Sequence, residues 1–241
     1  MGNIQEIPAS VLASWPKPNY VDPERRAWMP AFAMIWQVAS SVLVWGRFYL
    51  RMRRLAGPFG YDDAFMLIAW MSSVTFTACA WVLTAHYGVD RHTWDVNVKL
   101  FSGAAMYAWI LQVLMLVGSG ATKASVLLFY RRLVTGTLAR RWRYAIYFAL
   151  VFHALYLIGI TLGYVLVCRP LQAYWLSYDF DWDGEYTCAP AAGLNPVIGV
   201  LSIVSDVYAV ALPFIILHYY DLDVPRSQKI GLNIIFTLGL L

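Results

Sequence analysis

Long apolar runs alternate with short charged breaks along this chain. The first run is Ala27 to Leu50; Arg47, Arg51, Arg53 and Arg54 close it, and Gly57-Pro58 breaks the chain after it. The second starts at Tyr61-Asp62-Asp63 and continues to about His86. The third is Phe101 to Tyr130, the fourth Tyr144 to Val167 and the fifth Pro196 to Tyr220. Each reaches the roughly 20 residues that cross a hydrocarbon core of about 30 Å as a helix. No apolar-polar alternation suggests a barrel, so helices are the spanning structure available. A sixth run, Ile230 to Leu241, has 12 residues. That is about 18 Å at 1.5 Å per residue, too short to cross unaided, and it reads as a helix cut part-way.

Composition agrees. The 241 residues are 60% hydrophobic and 13% charged, with mean hydropathy +0.56; a soluble domain carries about 25% charged residues. Net charge is only +4, and the cations sit in short loops, which argues against a nucleic-acid partner. Residues 1–26 are polar and proline-rich, read as a flexible tail with no signal peptide. Arg47, Arg51, Arg53, Arg54, Arg131, Arg132, Arg140, Arg141, Arg143, Arg226 and Lys229 fall on one side of the spans. Lys17, Arg25, Arg26, Arg91, Lys99 and Arg169 fall on the other. Eleven cations against six put the first side in the cytosol and the N-terminus outside. Cys168 and Cys188 then share an outer loop where disulfides persist, and a closure of twenty residues is worth about 3 kcal/mol. Cys79 lies within an apolar run as a small packed hydrophobe.

Polar residues inside the runs are the candidate site. Lys123 interrupts Ser119 to Leu133, and a cation inside a span marks function by default. It lies eight residues before Arg131, about 12 Å from the inner edge, whereas Asp206, fourteen before Tyr220, is about 21 Å deep. The ~9 Å mismatch exceeds a lysine's reach of ~6 Å, so the expected partner of Lys123 is Asp63 or Asp62, by snorkelling. Asp206 is expected to be protonated, bonded to Ser202 or Ser205, or facing a wet cavity. Asp62, Asp63, Arg131 and Arg132 form an expected inner-face ionic cluster. The small residues around Gly118 and the Gly159-x-x-x-Gly163 pair are expected to permit close packing inside the bundle, the alternative for the pair being a homodimer face. His86, Asp90, His92 and Asp95 match no metal signature, and no P-loop, cofactor motif or catalytic motif is present.

As a set, several stretches carry a resemblance. An arginine-rich loop leads into Gly60-Tyr-Asp-Asp; a loop reads His86-Tyr-Gly-Val-Asp-Arg-His; the third run ends Lys123-Ala-Ser-Val-Leu-Leu-Phe-Tyr-Arg-Arg-Leu. A loop reads Cys168-Arg-Pro-Leu-Gln-Ala-Tyr-Trp, and the fifth run carries Asn195-Pro with Ser205-Asp-Val-Tyr-Ala-Val-Ala-Leu-Pro. From about Trp28 to Leu241 the chain resembles the fungal rhodopsin-like integral membrane proteins. This group includes pathogenesis-related receptor-like proteins and a membrane protein of the satratoxin gene cluster.

The resemblance implies a seven-helix protein with its N-terminus outside. The expected fold is therefore an all-α polytopic membrane bundle of the seven-helix type, truncated within helix six: a tail over 1–26 and a rhodopsin-like membrane domain over 27–241. "Rhodopsin" invites a retinal lysine, but that lysine belongs to a seventh helix and Lys123 is in the third. Tyr130-Arg131-Arg132 stands where seven-helix receptors keep an acid-arginine-tyrosine switch, with the acid missing. The expected function is a receptor-like or sensory protein of the plasma membrane, not an enzyme, taking a small molecule from the outer face. Its basic inner loops would meet a cytosolic partner or anionic lipid. The alternatives are a transporter, a biosynthetic enzyme of a fungal secondary-metabolite pathway, or a truncated non-functional product.

Overall fold

The computed structural model describes residues 9–55, 57–133, 140–179, 181–189 and 191–219. The sixth run and the side chains of Arg140, Arg141, Arg143, Arg226 and Lys229 lie outside what is described. Helix α1 (Ala9–Ala13) precedes α2 (Trp28–Met52), α3 (Tyr61–Tyr87) and, after two single 3-10 turns, α4 (Phe101–Leu133). Helix α5 (Arg140–Leu166), short α6 (Ala173–Leu176) and α7 (Ala191–Tyr219) follow. Four helices among the described residues are long and apolar enough to cross a membrane: Trp28–Met52, Tyr61–Tyr87, Val98–Arg132 and Tyr144–Leu166. The fifth run forms the 29-residue α7, which continues through Pro213. The fold is an all-α polytopic helical bundle.

Burial is the reverse of a soluble protein's. Trp36, Leu43, Phe148, Leu155 and Val200 are exposed, whereas Asp62, Asp63, Ser72, Lys123, Ser125 and His153 are buried. Apolar side chains gain nothing by leaving lipid, so helices associate through small and polar groups. A Cβ on Gly118 would sit 3.3 Å from Ser72 Cβ, and one on Gly120 only 2.3 Å from Leu157 Cδ1. The close-packing expectation therefore holds around Gly118. It fails at Gly159, where an added Cβ would meet nothing within 4 Å. That position is on the outside of α5.

Local chemistry sets the ends of α3. The Gly60 amide donates to Asp63 Oδ2 at 3.0 Å and the Asp63 amide to the Gly60 carbonyl at 3.1 Å. Two aspartates in the first turn also suit the helix dipole. Gly88, at φ +66°, stops the helix in the left-handed conformation that glycine adopts without strain. At the same end of the bundle, β1 (Cys168–Arg169) pairs antiparallel with β2 (Thr187–Cys188), and Cys168 is disulfide-bonded to Cys188.

The N-terminal segment departs from the expected free tail. The Asn19 amide donates to Asp95 Oδ1 at 2.8 Å, Arg25 Nε to Asp90 Oδ2 at 2.9 Å, and the Arg26 amide to the Asp90 carbonyl at 3.0 Å. Trp15 packs on Trp94, with centroids 5.9 Å apart. The buried carboxylates of Asp90 and Asp95, on the α3–α4 loop, hold the segment down. Polarity alone suggested solvation, but these polar groups have partners seventy or so residues away in sequence.

Candidate functional site

The residues singled out by sequence separate into three places. The first is the arginine-rich end of the bundle. Arg47 Nη2 lies 2.6 Å from Asp62 Oδ2 and its Nε 3.1 Å from Asp63 Oδ1. Arg51 Nη2 lies 2.6 Å from Asp62 Oδ2, and Arg51 Nη1 donates to the Pro58 carbonyl at 2.6 Å. Arg51 and both aspartates are each 3% exposed or less. Arg132 reaches this cluster, with Nη1 3.6 Å from Asp62 Oδ1. Arg131 stacks over the Tyr147 ring of α5 at 5.1 Å. To the expected cluster of Asp62, Asp63, Arg131 and Arg132 the structure adds Arg47 and Arg51, which pair with both aspartates. The two α2 arginines were visible only as loop charges.

The second place corrects the expected Lys123 pairing. Lys123 Nζ lies 2.7 Å from Asp206 Oδ1, not against Asp62 or Asp63. Two physical reasons overturn the depth count. First, it measured from Arg131 and Tyr220 as if they lay in one plane. Nothing along the chain sets the two helices at one level, and a lysine's reach with a small axial offset is enough to close the gap. Second, it ignored azimuth. Residues seven apart on a helix differ by about 20° and residues two apart by about 200°. Gly118, Ser125 and Arg132 share the face toward α3: Ser125 Oγ donates to the Asp62 carbonyl at 2.6 Å. Lys123 lies on the opposite side, toward α5 and α7. Asp206 is also not the buried carboxylate it resembled, for its side chain is 58% exposed. Ser205 bonds His153 instead, Nδ1 to Oγ at 3.1 Å, and His153 Nε2 meets the Gly120 carbonyl at 3.1 Å. His153 was missed; a lone histidine inside the fourth apolar run was the available signal.

The third place is a cavity of about 610 Å³ between α3, α4 and the loops at the disulfide end. Trp15, Phe76, Phe101, Ala108, Gln112 and Tyr178 are among its walls. Gln112 Nε2 donates to the Tyr164 hydroxyl of α5, and Trp109 Nε1 to the Tyr164 carbonyl at 3.4 Å, which fixes that wall. At this end His86, Asp90, His92 and Asp95 do not converge. Asp90 is engaged by Arg25 and Arg91, and Asp95 by the Asn19 amide.

These helices, glycine contacts and polar pairs sit within a stretch recognised by one family. The sequence model of the fungal rhodopsin domain matches residues 46–241. The chain belongs to the fungal rhodopsin family. As a fungal rhodopsin-domain protein it is a membrane protein, in keeping with the four helices among the described residues that are long and apolar enough to cross a bilayer. No curated protein and no solved structure matches it. The family match covers the end of α2 with α3, α4, α5 and α7, and so all the residues of the Lys123 and Asp62 sites, while the N-terminal segment at the other end lies outside it. Arg47 lies at its beginning.

Proposed function

We propose that this protein is a receptor-like membrane protein that takes a small, mostly apolar molecule into the cavity between α3 and α4. The cavity itself carries the reading. Its 610 Å³ falls within the roughly 300–1,000 Å³ of small-molecule sites, which combine apolar walls with few polar groups. Gln112 supplies one such group among apolar and small residues, which favours a neutral ligand with a single hydrogen-bonding function. An N-terminus outside the cell, an arginine-rich end in the cytosol and placement in the plasma membrane complete the proposal, supported by the cation asymmetry. Anionic lipid or a cytosolic partner would meet Arg131 and the neighbouring basic loops.

The test uses the full chain in nanodiscs and 1-aminoanthracene, an apolar fluorophore. Saturable enhancement in wild type, abolished by Ala108→Trp with the fold retained, is expected. Equal enhancement in Ala108→Trp would remove the cavity as the site. Labelling intact cells with an impermeant maleimide at a cysteine replacing Val21 checks sidedness; labelling only after permeabilisation would reverse the topology.

A further inference from the structure

The arginine-rich end holds a second cavity, of about 350 Å³, between the start of α3 and the end of α4. Gly60, Asp62, Arg131 and Arg132 stand on its polar side, and Phe59 and Leu128 on its apolar side. Its volume falls within the roughly 300–1,000 Å³ of small-ligand sites.

Charge at this cavity does not balance within the described cluster. Arg47 and Arg51 hold Asp62 and Asp63 at 2.6 to 3.3 Å, two cations against two carboxylates. Arg132 is a third cation. Its Nη1 lies 3.6 Å from Asp62 Oδ1, well beyond the roughly 2.7–2.9 Å of a charge-assisted hydrogen bond. That nitrogen is buried and makes no hydrogen bond among the described residues. The Arg132 side chain as a whole is 34% exposed, so a ligand in the cavity can reach it. Arg131, over the Tyr147 ring, brings a further positive charge to the same wall.

Glycine leaves the room around this guanidinium. A Cβ on Gly60 would stand 2.4 Å from Asp62 Oδ1 and 3.0 Å from Arg132 Nη1. One on Gly57 would stand 3.5 Å from Arg132 Nη2. A side chain at Gly60 would push the Asp62 carboxylate or the guanidinium aside.

We infer that this cavity binds the terminal phosphate of a phosphate-monoester lipid, with Arg131 and Arg132 on the phosphate and Phe59 and Leu128 against its glycerol and first acyl carbons. The planar guanidinium fork matches phosphate oxygens. Two arginines favour an anion of more than one charge, which a phosphate monoester carries and a zwitterionic headgroup does not. Asp62 keeps Arg47 and Arg51, so no carboxylate has to move. Arg131 and Arg132 lie within one turn of the end of α4 at Leu133, which is headgroup depth for a spanning helix. The inference rests on the proposed contact of the arginine-rich end with anionic lipid and names the group bound. It does not depend on the occupant of the α3–α4 cavity at the disulfide end.

Native mass spectrometry of the full chain in detergent tests this, with phosphatidic acid, phosphatidylcholine and glycerol 3-phosphate as probes. Wild type is expected to take one saturating phosphatidic acid and no saturable phosphatidylcholine. Arg132→Gln should bind phosphatidic acid about tenfold more weakly, as loss of charge-assisted hydrogen bonds implies. Leu128→Trp, which keeps every charge and fills the cavity, should lose as much. Arg53→Gln removes a cation of the same end outside the cavity and should bind like wild type. Unfolding midpoints check the fold of each variant. The 1-aminoanthracene signal of the other cavity is recorded in parallel, so that either reading can fail alone. Wild-type affinity in Arg132→Gln or Leu128→Trp overturns the proposal, as does absence of saturable binding in wild type. An equal loss in Arg53→Gln overturns it too, in favour of surface charge alone. Glycerol 3-phosphate competing as well as the lipid would overturn the lipid assignment and make a soluble phosphate ester the occupant.

Discussion

Lys123 on α4 and Asp206 on α7 form a 2.7 Å ion pair, although they are eighty-three positions apart in the chain. The pair exists because α4 presents different faces to different neighbours. Ser125 and Arg132 turn toward α3, while Gly120 and Lys123 turn toward α5 and α7. One lysine cannot serve both sides.

Exchange of charge checks this geometry. Lys123→Asp with Asp206→Lys is expected to restore surface expression lost in either single variant. Lys123→Asp with Asp63→Lys is expected to restore none. Rescue by the Asp63 combination would put the lysine back against α3.

The α2–α3 cluster is the most enclosed set of charges described. Removing one partner of a buried pair strands the other, at a cost of about 3–5 kcal/mol. Arg51→Ala is therefore expected to lower the unfolding midpoint in nanodiscs severely. Arg53→Ala, which loses only a stacking contact on Tyr49, should cost under about 1 kcal/mol. Equal midpoints for the two would show that Arg51 is not the keystone of the α2–α3 contact.

Two glycines separate interior from exterior. Gly120→Ala pushes a methyl into Leu157, and overpacking typically costs about 1–3 kcal/mol. Adding Leu157→Ala should recover part of that loss. Gly159→Ala meets open space and should change stability by less than about 0.5 kcal/mol. A large loss at Gly159 would mean that this face is covered.

Oxidation state is measurable by labelling. Of the three cysteines, only Cys79 is free, so native protein should take one maleimide per chain, and three after reduction in denaturant. Cys168→Ser is expected to cost about 2–4 kcal/mol, as loss of a native bridge does. Three labels without reductant would contradict the bridge.

The strap over the disulfide end rests on Asp90 and Asp95. Asp90→Ala removes the partner of Arg25 and should raise the rate of limited proteolysis between Trp15 and Arg26 several-fold. Unchanged cleavage would mean that Trp15, the Asn19–Asp95 bond and the Arg26 amide on the residue-90 carbonyl hold the strap without the Arg25 ion pair.

Much of the bundle was legible because hydropathy depends on composition over about twenty residues, whatever the neighbours. The spans near 27–50, 61–86, 101–130 and 144–167 needed only small changes at their ends, and Cys168–Cys188 followed from sharing one loop. The pairing of charges was not legible in the same way. Asp62 and Asp63 looked available to Lys123 because sequence does not tell how α2 turns Arg47 and Arg51 inward. His153 looked like one more residue of an apolar run until Ser205 and the Gly120 carbonyl stood on either side of it.

The sequence by itself determined a helical membrane protein, its long apolar helices and its bridge, since each depends on local properties of the chain. Tertiary structure alone decided which residues share a face, and with it the Lys123–Asp206 pair, the tied-down strap and the open side of Gly159. The physical reason is rotation. Each residue turns a helix by about 100°, so a partner is chosen by azimuth and tilt, which no count along the chain supplies.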